Sequence, residues 1–152
     1  MKRIIFLAIT AVFVLASCKQ TNAQKEAEGL LKKATLEYEN EKYEDALRSI
    51  DSLRNVYPNS IDVRERALIL YQDVCLGQAQ KNVERLDVEL EKLEAEYNSK
   101  KSLAEAHHAE GTATEEELAG VNRMRLQRDS LKVKFDTECA KVKLIKQKQK
   151  EG

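Results

Sequence analysis

Apolar residues recur at three- and four-residue intervals along most of the chain, the spacing that gathers side chains onto one face of an α-helix. Ala27, Leu30, Leu31, Ala34 and Tyr38 form a first stripe. After the polar break Asn40-Glu41-Lys42, a second follows at Tyr43, Ala46, Leu47, Ile50 and Leu53. Tyr57-Pro58-Asn59-Ser60 then stops the helix, because proline carries no amide hydrogen for the helical ladder. Ile61 to Tyr71 is again helical in period. From Cys75 the apolar positions Cys75, Ala79, Val83, Leu86, Leu90, Leu93 and Tyr97 mostly alternate three and four, which is coiled-coil spacing. Gly77 is the one glycine between Ile61 and Glu110, and periodicity alone does not say whether the helix continues through it.

Gly111 ends that run, and Thr114-Glu115-Glu116-Glu117 has the form of a capping box with acids on the first helical turn. A last stripe, Leu118, Val121, Met124, Leu131, Phe135, Cys139, Val142 and Ile145, predicts a second long helix starting near Glu115. Two long amphipathic helices joined by a short connection form an antiparallel hairpin. A turn centred near Thr112 sets Leu131 near Leu93 and Ile145 near Ala79. The expected fold is therefore all-α, with a helical hairpin over 27–60 followed by a long antiparallel coiled-coil hairpin over 61–150, turning at 111–114.

Composition narrows the class without changing this picture. Five Gly and one Pro in 152 residues cannot supply the corners of a sandwich or barrel, and three Cys cannot build a disulfide scaffold or a zinc ribbon. With 42% apolar residues, disorder is not expected. Charge adds orientation. Six acids (Glu84, Asp87, Glu89, Glu91, Glu94, Glu96) fall within 84–96 and five bases (Arg123, Arg125, Arg128, Lys132, Lys134) within 123–134. The expected register sets these two segments opposite one another, where complementary charge helps fix orientation.

The N-terminus follows another logic. Lys2 and Arg3 precede an apolar stretch from Ile4 to Leu15 that only Thr10 interrupts, too short to span a bilayer and suited to a signal peptide. It closes with Leu15-Ala16-Ser17-Cys18, which resembles the lipobox of bacterial lipoproteins. The resemblance implies a signal peptide over 1–17, cleavage between Ser17 and Cys18, and acylation at the Cys18 thiol and at the amino group that cleavage exposes. Residues 18–26 would be the lipidated N-terminus and tether. Several acyl chains hold a protein durably in a leaflet where one does not. The absence of Asp after the cysteine favours the outer membrane. Lys19 to Gln24 also lacks the acidic cluster that accompanies surface export in Bacteroidetes-type lipoproteins, so the periplasmic face is favoured over the cell surface. Without Lys2 and Arg3 the body carries 24 bases against 26 acids, a balance that does not suggest a nucleic-acid partner.

The segment from Ala27 to Ser60 resembles one tetratricopeptide repeat. Leu30 and Ala34 stand on its first helix, Tyr43 and Ala46 on its second, and Pro58 at its terminal turn. The resemblance implies that Ala34 and Ala46 let the helices approach closely and that Tyr43 plugs the turn. Ile61 to Tyr71 is similar to the first helix of a further repeat, whose second-helix pattern does not follow. One and a half repeats do not make a concave peptide groove. Along most of its length the chain resembles the small tetratricopeptide-repeat lipoproteins of Bacteroidetes.

Residues with chemistry to offer are few. Cys75 and Cys139 lie on apolar stripes, where a free cysteine acts as a small hydrophobe. The expected register sets Cys139 opposite about Arg85, roughly ten residues from Cys75, whereas a turn nearer His107 would bring the two together. Glu105 and His108 have the Glu-x-x-His spacing of di-iron bundles, but one such motif does not complete a site. The sequence carries no glycine-rich phosphate loop and no nucleophile-base constellation, so no catalytic residue, metal ligand or cofactor is expected. The lysine-rich end, Lys141 to Lys150, suits a solvated helix C-terminus. The expected function is a non-catalytic scaffold or adaptor. Its partners would be the membrane, through Cys18, unidentified envelope proteins, and a second copy of the chain in a homo-oligomer. Val88, Leu126, Val133 and Leu144, which lie off the main stripes, would supply a second seam. A periplasmic holdase-like chaperone with coiled-coil arms and a structural envelope spacer are the alternatives.

Overall fold

Alanines at positions 27, 34, 46 and 67 are fully buried, and their small side chains let helices pack closely around Ile50, Leu53, Val63 and Val74. The computed structural model describes residues 22–151, so the signal segment, Ser17 and Cys18 lie outside the described residues. Within them the fold is all-α: helix α1 at residues 22–39, α2 at Tyr43–Val56, α3 at Ile61–Ala109 and α4 at Glu115–Glu151. The chain divides into two compact units between Cys75 and Leu76.

In the first unit α1, α2 and the start of α3 share one core. Each fully buried Val, Leu or Ile contributes about 1.5–3 kcal/mol through loss of apolar surface from water. The half-buried Leu30, Tyr38, Tyr43, Leu47, Tyr57 and Leu70 pack around this core. Polar contacts fix how the elements meet. Ser49 Oγ donates to Glu37 at 2.6 Å, Tyr57 Oη donates to Glu26 at 2.9 Å, and Arg66 pairs with Glu28. The bond to Glu26 raises the Tyr57 phenol above its ordinary pKa, since the carboxylate accepts from the protonated form. Helix is already present at residue 22, within the stretch expected to be tether.

The turn between α1 and α2 is tight. Lys42 N donates to Glu37 O at 2.8 Å and Glu41 N to Tyr38 O at 2.9 Å, a helix-ending arrangement that leaves Glu41 at φ 57°. The sequence offers no glycine there.

In the second unit α3 is helical through Gly77 and carries its seam from Ala79 through Leu86 and Tyr97, the last residue of the expected stripe, to Ala104. Gly111, at φ 73°, closes the helix: its N–H donates to His108 O at 3.1 Å and Thr112 N to His107 O at 2.8 Å. Helix α4 runs back antiparallel. The register centres near Thr112, since His107 meets Glu117, Tyr97 meets Arg128, and Leu93 and Leu131 share one cleft.

Candidate functional site

Helix α4 is apolar on two faces. Its inner face holds the buried Met124 and the half-buried Val121, Leu131, Phe135, Cys139, Val142 and Ile145. Leu126, Val133 and Leu144 each stand two residues beyond Met124, Leu131 and Val142, hence roughly 200° around the helix, and they are 57%, 65% and 54% exposed. Val88 on α3 is exposed as well. Leu118, expected on the inner stripe, is instead 45% exposed, because Glu117 occupies the inward position at the start of α4 and reaches His107.

Concavities follow one side of the hairpin. Lys100, Leu103, Gly120, Val121 and Arg123 line a cleft of about 470 Å³ near its tip. Leu93, Leu126, Ser130, Leu131 and Lys134 line the next, of about 460 Å³. Leu86, Arg85, Val133, Thr137 and Glu138 border a third of about 220 Å³. Apolar floors with charged rims suit side chains projecting from another helix.

Two contacts that the periodicity did not announce hold this surface in place. Arg128 fills the gap in the inner stripe between Met124 and Leu131, with its guanidinium 4.5 Å from the Tyr97 ring centroid. Its bond to Asp129, at 2.7 Å, and the fields of Tyr97 and Glu94 raise its pKa further. The missing apolar residue at 128 was the one trace of it in the sequence. At the tip, Thr114 Oγ1 accepts from Glu117 N at 3.2 Å, which is half of the expected capping box. The Glu117 carboxylate turns across the connection to His107 Nδ1, at 2.8 and 3.1 Å.

The remaining sequence-selected residues, Cys139 excepted, are spread through the first unit. Ala34 and Ala46 are fully buried, and Leu30 and Tyr43 are half-buried, with the Tyr43 ring centroid 6.1 Å from that of Tyr38. Pro58 is exposed, and its carbonyl accepts from Arg64 Nη1 at 2.8 Å. Cys75 and Cys139 are both free thiols. Among the described residues no group of three or more His, Cys, Asp or Glu is placed to hold a metal ion, and no helix is long and apolar enough to cross a membrane.

Comparison of the chain with protein-family models, with curated proteins and with solved structures finds no match.

Proposed function

We propose that this chain is an envelope lipoprotein, anchored through acylated Cys18 in the outer membrane and facing the periplasm, that acts as a non-catalytic scaffold or adaptor for protein-protein interaction. In this reading residues 27–60 form a tetratricopeptide-repeat-like hairpin, and the hairpin of α3 and α4 carries the docking surface. The observation that supports it is the second apolar face of α4: Leu126, Val133 and Leu144 are all more than half exposed although the opposite face already packs on α3. Large apolar side chains aligned on a solvated helix face are the usual mark of a protein contact.

Photo-crosslinking in cells tests the reading, with a photoreactive residue placed at Val133 and, as control, at the exposed Lys92 on α3. The expected result is one or a few discrete adducts from position 133, lost when Leu126→Glu is added, and none from position 92. A broad smear of adducts from position 133 would instead identify a holdase that takes many unfolded clients. Absence of adducts would remove the docking role altogether.

A further inference from the structure

We infer that the outer face of α4 pairs with the same face of a second copy of this chain, the two α4 helices running antiparallel. The inference rests on reading that face as a docking surface, and it names the occupant.

Spacing is the first argument. Ala119, Leu126, Val133 and Ala140 recur every seven residues along α4 and are all exposed. Ser130, Thr137 and Leu144 follow four residues after the last three of them and are exposed too. A strict seven-residue repeat keeps its seam facing one neighbouring helix over several turns, as a two-helix contact requires, whereas scattered surface apolar residues drift around the axis. Ala119 and Ala140, at the two ends of the repeat, permit close approach of two helix backbones.

Charge is the second argument, and it sets the direction. Helix α4 begins with the exposed acids Glu115 and Glu116, Glu117 being turned inward to His107, and ends with lysines at 141, 143, 146, 148 and 150. A parallel pair would stack acids on acids and lysines on lysines. An antiparallel pair with its two-fold axis near Ser130 instead brings the acidic start of each α4 to about position 145 of the other, among the lysines. It sets Ala119 of one copy near Ala140 of the other and Leu126 near Val133, so both the apolar and the charged layers match. Like charges repel and opposite charges attract by comparable amounts, so the choice of direction is electrostatic while the contact itself is apolar.

The experiment uses the full chain purified in detergent, with Cys75→Ala and Cys139→Ala as the parent that sets the background. Single cysteines are added by Ala119→Cys, Ser130→Cys and Ala140→Cys, each oxidised alone and in pairwise mixtures. The expected result is a disulfide dimer from Ser130→Cys alone, none above background from Ala119→Cys or Ala140→Cys alone, and a heterodimer when those two are mixed. Adding Val133→Glu, at an exposed position that leaves the inner seam untouched, should abolish all of these products while the helical circular dichroism stays at the parent's level. Raising the salt concentration should weaken the dimer. Self-linking of all three variants would overturn the antiparallel arrangement. Absence of linking from Ser130→Cys, with the parent sedimenting as a monomer, would overturn the second copy as occupant. Discrete photo-adducts to a different protein at Val133 would in that case leave the docking role standing.

Discussion

At Glu41 a charged residue occupies a left-handed backbone conformation, φ 57°, that glycine adopts without steric cost. Its counterpart at the other hairpin turn is Gly111. Glu41→Gly should therefore leave the fold unchanged and shift stability by between zero and about 1 kcal/mol in the stabilising direction, the relief of strain being partly offset by a more flexible unfolded chain. Urea unfolding followed by circular dichroism would register it. In the core the expectation is of opposite sign and larger. Ile50 is completely buried, and Ile50→Ala should cost about 2–5 kcal/mol, through lost burial and the cavity left behind. Ile69 is 62% exposed on α3, and Ile69→Ala should fall within about 0.5 kcal/mol of the parent in the same assay.

The long hairpin of α3 and α4 depends on its connection as much as on its seam. Gly111 ends α3, Thr114 begins α4, and the bond between His107 and Glu117 spans them. Thr114→Ala removes the acceptor for the Glu117 amide and should destabilise the hairpin by about 1 kcal/mol, without changing helix content at low temperature. Amide hydrogen exchange would show the loss at the first turn of α4, where Glu117 and Leu118 lie, before it reached Met124. The seam was legible in the sequence because three-four alternation survives in a buried helix face. Arg128 showed only as a gap in the apolar stripe, since a guanidinium over a tyrosine ring follows from the position of Tyr97 on the facing helix.

For the molecule as a whole the decisive question is attachment. If Cys18 carries the lipid, Cys18→Ser should abolish incorporation of a labelled fatty acid and move the protein from the membrane fraction to the soluble fraction. Retention in the membrane with no label would mean that an uncleaved apolar stretch holds the chain there. With the anchor in place, copies share one surface, and confinement raises their effective concentration for pairing. The antiparallel pairing of α4 is thus an interaction that tethering to the same leaflet would favour.

Helical class, the two hairpin turns and the register of the second hairpin were all determined by the order of residues. Each depends on short-range signals: a three-four apolar period, a polar break, a glycine, a threonine followed by acids. The tertiary structure decided matters that depend on residues far apart in sequence. It assigned the start of α3 to the first unit, where Val63, Ala67 and Val74 join the core of α1 and α2. It also turned Glu117 inward and Leu118 outward, and carried α3 through Gly77 as continuous helix. It showed, too, that the off-stripe residues of α4 remain exposed after the inner face is packed. Periodicity identifies a helix with two apolar faces, but only packing determines which face is covered and which stays exposed.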